Sequence, residues 1–471
     1  MDEENFYPPD SDLDLSFTSS TSANSARSSL ASSSLTLSFN ESRLSITSST
    51  TATTSSAVHL RPHRTSEPHW SVIKAAATLS SDGLLHLRHL KILRRLGAGS
   101  LGRVFLCRLR DYDHANFALK VVDRDSLTSK KLSHVQTEAE ILSLLDHPFL
   151  PTLYAHLEVS HYTCLLIDYC LNGDLHSLLR KQPGNHLPVD AVRFFAAEVL
   201  VALEYLHALG VVYRDLKPEN ILLREDGHVM LSDFDLCFKA DVDPKLESWA
   251  HKVEPTRNRR WGCFGYRQPE EEVVSEFVAE PTTAFSRSCV GTHEYLAPEL
   301  VSGNGHGNGV DWWAFGVLVY ELLYGTTPFK GGSKEATLRN IASTRGLRFE
   351  VAEDKEGMAE ARDLIGKLLV KDPRRRLGCS RGATDIKRHP FFDGIKWPLL
   401  RTYKPPEVRG LVVKAAKSQL TGAFSLPKRR RWWWKGFNSI IKRIMVSKHN
   451  LINSNHNSYC YINGSKVRKS S

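Results

Sequence analysis

The chain has 471 residues, 41% apolar, 9% aromatic and 24% charged, which is enough apolar surface for a sizeable core and excludes a wholly disordered or collagen-like protein. Its net charge of +10 belongs to the C-terminal end: 14 Lys and Arg and no acidic residue lie beyond Glu407, leaving 48 basic against 52 acidic residues before that point. A nucleic-acid enzyme would carry a basic groove through its body, so that class is disfavoured.

In chain order, the N-terminus Met-Asp-Glu-Glu-Asn adjoins no apolar stretch, so no secretory signal is read, and no apolar run reaches the roughly 18 residues of a membrane span. Residues 11–60 are about half Ser and Thr with few aromatics, and cannot bury enough surface to offset chain entropy. A disordered region is expected over 1–85. From Leu87 to about Asp123, short apolar runs such as Val-Phe-Leu and Phe-Ala-Leu-Lys-Val-Val alternate with Gly and Asp, which predicts an antiparallel meander. Helical spacing follows over 133–145, 189–209, 312–324 and 358–370. A small β-rich part thus precedes a larger helical part, an α+β arrangement. Residues 239–283, charged and rich in Pro, Glu and Arg, read as an inserted, mobile loop. Eight cysteines (Cys107, Cys164, Cys170, Cys237, Cys263, Cys289, Cys379, Cys460) show neither CxxC pairs nor zinc spacing, and read as reduced thiols of a cytosolic or nuclear protein.

The chemistry is carried by elements spread over this frame. Gly97-Ala98-Gly99-Ser100-Leu101-Gly102-Arg103-Val104 lies between two predicted strands, where glycines let backbone N–H groups approach a phosphate. A dinucleotide-binding turn would open a helix; here the strand pattern Val104–Leu109 follows. Lys120, in the next apolar run, can neutralise α/β-phosphate charge if a carboxylate holds it. Glu138 is the candidate, because Glu140 projects about 200° away on the same helix. Tyr213-Arg214-Asp215-Leu216-Lys217-Pro218-Glu219-Asn220 and Asp233-Phe234-Asp235 then supply a carboxylate base (Asp215), a cation near the γ-phosphate (Lys217) and oxygen ligands for Mg²⁺ (Asn220, Asp233). Gly291-Thr292-His293-Glu294-Tyr295-Leu296-Ala297-Pro298-Glu299 and Asp311-Trp312-Trp313 complete the order.

These motifs resemble those of the eukaryotic protein kinases over residues 90–392. The resemblance implies a bilobal fold, with a small antiparallel-β N-lobe, a larger helical C-lobe, disordered tails and ATP between the lobes. It implies that Leu96 to Val104 and Lys120 bind ATP, that Ile167 is the gatekeeper and that Asp168 to Cys170 form the hinge. It makes Asp215 the base, and pairs Glu299 with Arg376. Lys217-Pro218-Glu219 and Thr292 resemble Ser/Thr kinases, and Tyr-Arg-Asp with Asp-Trp-Trp resembles the AGC group. Ser288 then falls at the activation phosphosite, with Arg214 as its natural phosphate partner. Asp174, Glu219 and Glu321 fall where basophilic relatives receive substrate arginines.

Two departures, Asp-Phe-Asp for Asp-Phe-Gly and an activation segment about forty residues longer than usual, resemble the plant AGC subfamily VIII, and Ser286-Arg287-Ser288-Cys289-Val290-Gly291-Thr292 resembles its PINOID/WAG branch. That implies phosphorylation of PIN-type auxin efflux carriers, and an upstream AGC-activating kinase as partner. Two basic-aromatic clusters favour anionic membrane lipids, with docking of the tail onto the small lobe or a calmodulin-like partner as the alternative. One is Arg257, Arg259, Arg260, Trp261, Phe264 and Tyr266; the other is Lys428 to Lys435, within the basic tail 393–471. The expectation is a monomer at the cytoplasmic face of the plasma membrane and in the cytoplasm, with a nuclear pool allowed and no nucleic-acid partner. The tail lacks a Phe-x-x-Phe ending, and the stretch after Lys448 has no assigned role. The rival readings are a pseudokinase scaffold, suggested only by Asp-Phe-Asp, and a small-molecule phosphotransferase, disfavoured by Ala-Pro-Glu.

Overall fold

The computed structural model describes residues 63, 68–78, 80–110, 112–252, 271–344, 346–349 and 356–413. The Ser/Thr-rich residues 11–60, both basic-aromatic clusters and everything after residue 413 lie outside the described residues. None of the described helices is long and apolar enough to cross a membrane.

Helix α1 (Pro68–Thr78) comes first, followed by β1 (Leu90–Ala98), β2 (Arg103–Leu109) and β3 (Tyr112–Asp123). Helix α2 (Ser129–Leu144) and strands β4 (Leu153–Val159) and β5 (Tyr162–Asp168) complete the small lobe. Its five strands form one antiparallel sheet in the order β1-β2-β3-β5-β4. The strand period of two decides which side chains do what. Phe117, Leu119 and Val121 join Leu90, Phe105 and Cys164 in a core on one face, so Lys120, between them in sequence, must face the other way. Thr128 caps α2, accepting a hydrogen bond from the Lys131 N–H at 3.4 Å, and starts the helix four residues before the sequence spacing suggested.

Helix α1 corrects the expectation of disorder to residue 85. Ile73 and Ala76 are buried in the core of the sheet's apolar face, His69 lies 5.4 Å from Phe117, and Trp70 lies 5.8 Å from Tyr154. The composition of residues 11–60 says nothing about this segment, whose Val-Ile-Lys-Ala-Ala-Ala run finds its partner only in the folded sheet.

The large lobe holds α3 (Leu175–Leu179), α4 (Val189–Ala208), β6 (Val211–Val212), β7 (Ile221–Leu223), β8 (Val229–Leu231) and β9 (Phe238–Lys239). After them come β10 (Lys245–Lys252), β11 (Glu271–Val278), α5 (Pro298–Val301), α6 (Gly309–Tyr324), α7 (Lys334–Ala342), α8 (Met358–Leu368) and α9 (Ala383–Lys387). Helix α6 is buried along nearly its whole length, which its apolar residues on every face require.

The insertion was expected to be a loop, yet its described arms are β10 and β11, paired antiparallel from Lys245 opposite Val278 to Lys252 opposite Glu271. This register sets Glu247 opposite Glu276, a repulsive pair. Arg381 relieves it with ion pairs to Glu247 at 2.7 Å and Glu276 at 3.4 Å. A residue about a hundred positions away thus steadies the ladder, which explains why local composition did not show it. The start of the basic tail lies along the large lobe: Gln182 donates to the Arg409 carbonyl at 2.7 Å and Asn172 to the Val412 carbonyl at 2.9 Å.

Candidate active site

The glycine-rich run is the β1–β2 turn, closed by the Gly99 N–H donating to the Gly102 carbonyl at 2.9 Å. Leu96, Gly97 and Ala98 end one strand, Arg103 and Val104 open the next, and Ser100 is exposed at the tip. Its glycines serve different ends. A Cβ on Gly97 or Gly99 would meet nothing within 4 Å, leaving the backbone open to a ligand, whereas a Cβ on Gly102 would stand 2.4 Å from the Val121 carbonyl oxygen. Gly102 therefore allows β2 to approach β3. Leu101 turns its side chain inward, into a small cluster with Val122 and Val135.

Lys120 reaches across to α2, where Glu138 accepts from its ammonium at 2.7 Å through both oxygens, and Asp233 lies 3.3 Å away. Burial opposes the charge on Lys120, but Glu138 and Asp233 outweigh it and hold the ammonium protonated. Glu140 is exposed and accepts instead from Gln136.

Between β6 and β7 the chain makes the second half of the site. Tyr213 is fully buried beside Phe234, and Arg214 takes a left-handed φ of 67°. Asp215, 6% exposed, gathers three donors: Lys217 Nζ at 2.7 Å, Asn220 Nδ2 at 2.9 Å and Thr292 Oγ1 at 3.1 Å. Lys217 also donates to Thr292 at 2.9 Å, so Asp215, Lys217 and Thr292 form a closed triangle. The Ser232 N–H, donating to the Asn220 carbonyl at 2.9 Å, ties Asn220, and through it Asp215, to the Asp233 segment.

Asp233 sits at a left-handed φ of 60°, a strained position for a residue with a side chain. Burial and the neighbouring Asp233 carboxylate push Asp235 up to about 6. Among the described residues no cluster of three or more His, Cys, Asp or Glu could hold a metal by itself. Asn220 and Asp233 nonetheless fit Mg²⁺, which takes one or two protein oxygens and completes its octahedron with water and phosphate. Asn220 commits its Nδ2 to Asp215, and its Oδ1 remains as the acceptor.

At the hinge, the Asp168 side chain is occupied: it accepts from the Thr152 N–H at 2.7 Å and from the Tyr154 hydroxyl at 2.8 Å. Only its backbone is left for a base. Cys170 is buried, which pushes its thiol well up and leaves it inert.

The structure places the three acidic residues of the expected substrate site in two settings. Glu219 and Glu321 line one cleft of about 240 Å³ together with Thr292 and Arg180, but Asp174 does not border it. Asp174 instead caps α3, accepting from the Ser177 N–H at 2.6 Å. Glu321 is buried, accepts from the Tyr295 hydroxyl at 2.6 Å, and pairs with Arg180 at 3.3 Å. Arg214 donates to the Ser286 hydroxyl at 3.3 Å, while Ser288 is exposed and touches Ser286 only through its own N–H at 3.2 Å. Glu299 and Arg376 meet end-on, through both terminal guanidinium nitrogens, in two bonds of 2.7 and 2.9 Å.

Three further residues matter here that motif reading left without a role. Thr292 bonds both Asp215 and Lys217, and Asp311 accepts from the backbone N–H groups of Tyr213 and Arg214 at 2.8 and 2.7 Å. His207 donates to Asp311 at 2.9 Å. For Asp311 the signal was the Asp-Trp-Trp motif; for His207, the end of a long amphipathic helix offered none.

The protein kinase domain family matches residues 90–392. The chain is 64% identical over 98% of its length to serine/threonine-protein kinase WAG1 of Arabidopsis thaliana, covering 99% of that protein. It is likewise 64% identical to serine/threonine-protein kinase WAG2 of the same plant, over 98% of each chain. To protein kinase PINOID of Oryza sativa subsp. japonica it is 47% identical, over 76% of this chain and 77% of that one.

Proposed function

We propose, for a chain that belongs to the plant AGC serine/threonine protein kinases, that it phosphorylates Ser or Thr lying downstream of basic residues in the cytoplasmic loops of PIN-type auxin efflux carriers. The observation that carries the chemistry is the convergence of Lys217, Asn220 and Thr292 on Asp215 within 3.1 Å. In this reading Asp215 accepts the proton of the substrate hydroxyl as the oxygen bonds to the γ-phosphorus and the bond to ADP breaks. Lys217 and Thr292 hold the carboxylate in one rotamer, so its free lone pairs are aimed before substrate arrives. Lys120, fixed by Glu138, draws the α- and β-phosphates into line, and open backbone at Gly97 and Gly99 admits the phosphate chain. Magnesium, held by Asn220 and Asp233, supplies charge neutralisation of the phosphate oxygens when bound.

What supports a basic preference is the cleft bearing Glu219 and Glu321 beside Thr292, next to the site of transfer. Arg180 already pairs with Glu321, so an incoming arginine would share that carboxylate. The exposed position of Ser288 supports its reading as the activation phosphosite, reachable by another kinase. The basic-aromatic clusters at 257–266 and 428–435 support action at the plasma membrane, as a reading of sequence alone. A scaffold without catalysis is the weaker account, because the Lys120–Glu138 pair and the Asp215 triangle are both assembled.

The test incubates wild type and Asp215→Asn with radiolabelled ATP, Mg²⁺ and a PIN-carrier cytoplasmic loop. Label transfer by wild type alone is expected. Labelling of wild type itself without the loop would discard the carrier substrate, and no labelling of any protein after Ser288 phosphorylation would discard catalysis. A peptide array without basic preference would remove the substrate-site reading. Vesicle binding unchanged after neutralising Arg429 to Arg431 and Lys435 would remove the tail from any membrane role.

A further inference from the structure

Glu280 lies just beyond β11, where the insertion rejoins the activation segment, and it is only 6% exposed. A carboxylate there has to be compensated, and the structure supplies two donors to one oxygen: His207 Nδ1 at 2.7 Å and Asn308 Nδ2 at 2.8 Å. The other ring nitrogen of His207 meets Asp311 at 2.9 Å. Asp311 in turn accepts the successive backbone N–H groups of Tyr213 and Arg214, the two residues before Asp215. Space for the carboxylate is made by Gly382, whose Cβ, if present, would lie 1.6 Å from the second Glu280 oxygen.

This chain of contacts ends where positioning is needed. Arg214 is held at a φ of 67°, a conformation a side-chain-bearing residue keeps only when its surroundings over-determine it. Two hydrogen bonds to one carboxylate do that, provided the carboxylate is itself fixed. Asp311 is fixed from behind by His207, and His207 is fixed from behind by Glu280. Burial opposes a charge on His207, but a carboxylate at each ring nitrogen outweighs it and pushes the imidazole up to about 10, so both nitrogens carry protons and both donate.

We infer that Glu280 is a positioning residue for phosphoryl transfer: through His207 and Asp311 it holds the backbone of Tyr213 and Arg214, and so couples the base of the insertion to the placement of Asp215. The inference rests on Asp215 being the catalytic base. Glu280 touches neither ATP nor substrate, and its effect belongs in the turnover step rather than in binding.

The test is steady-state phosphorylation of a basic peptide by the full chain, with kcat and the KM values for ATP and peptide measured separately and folded fraction followed by circular dichroism. Glu280→Ala strands His207 Nδ1 and Asn308 Nδ2, and is expected to lower kcat by about tenfold or more while both KM values stay within about twofold. Glu280→Gln can keep its one carbonyl oxygen where His207 Nδ1 and Asn308 Nδ2 both donate, and is expected to recover most of kcat. Glu280→Asp retains the charge but is one methylene short, and is expected to behave like Ala; it also decides the matter should Ala fail to fold. Full kcat in Glu280→Asp, a loss of kcat that Gln does not recover, or a loss that only tracks the unfolded fraction would each overturn the inference. Asp215→Asn separates the two readings. If it stays active, the base assignment falls; if it is dead while Glu280→Asp is unimpaired, only the coupling falls.

Discussion

Replacing Gly102 by Ala isolates a packing role from a phosphate-binding one. The added Cβ would sit 2.4 Å from the Val121 carbonyl oxygen and 3.1 Å from a Val122 methyl, closer than such contacts are found, so β2 must withdraw by about 0.6 Å to reach 3.0 Å. That shift works against the ladder pairing Arg103 with Val121 and Val104 with Lys120. Overpacking of this kind costs about 1–3 kcal/mol. In a domain of this size it should lower the melting temperature by about 2–6 °C, and it loosens β2 from β3, the strand that carries Lys120. Gly99→Ala meets no atom within 4 Å and needs no left-handed φ. Its melting temperature should hold or rise slightly through the lower entropy of the unfolded chain, while KM for ATP rises severalfold. Differential scanning fluorimetry with and without ATP and Mg²⁺, alongside KM for ATP, reads both. A Gly102→Ala protein that melts with wild type, or a Gly99→Ala protein that melts as low as Gly102→Ala, would refute the division of roles.

Arg376→Ala removes the partner of Glu299 and the cation stacked 5.1 Å over Trp313, leaving a carboxylate uncompensated. A loss of about 3–5 kcal/mol is expected in urea unfolding, with Arg376→Lys intermediate because a single ammonium lacks the planar fork that gives each oxygen its own nitrogen. His207 holds its proton up to about 10 in the fold against 6.5 unfolded, so its stabilisation is complete below pH 6.5 and is lost as pH rises towards 10. Unfolding at pH 7, 8 and 9 should show a decline of at most ~1.4 kcal/mol per pH unit from this group, shallower in Glu280→Gln; equal slopes would contradict the pairing. Brief iodoacetamide treatment of native protein should label Cys289 among the described cysteines and spare Cys107, Cys164, Cys170 and Cys237, whose burial raises their thiols. Mass spectrometry finding Cys170 modified at a comparable rate would show that the hinge is open.

Elements with a strong period or a dense local motif were legible without coordinates. The meander from Leu87 to Asp123, the helix Val189–Ala208 and the catalytic run from Tyr213 to Asn220 all announce themselves over a few adjacent residues, because alternation and turn chemistry act locally. Lys120 with Glu138 could be paired in advance for the same reason: strand and helix periods each leave one side chain facing the other. The α1 helix and the β10–β11 hairpin were missed because each is stabilised by something outside its own segment, the sheet face around Phe117 in one case and Arg381 in the other.

The division follows from how far apart the partners lie. Amino-acid order alone pointed to a protein kinase, since the residues proposed as proton acceptor, cations and metal ligands are set out in short runs whose spacing is local. Tertiary structure alone decided that Asp174 caps a helix while Glu219 and Glu321 share a cleft, that Arg214 faces Ser286 before Ser288, and that Gly102 yields to a carbonyl rather than a phosphate. It also joined Glu280 to His207 across 73 positions and His207 to Asp311 across 104. A carboxylate looks the same in sequence whether it ends in water or against a buried imidazole. Only the folding of distant segments into one dry interior gives it a single partner, because there an uncompensated charge is too costly to leave.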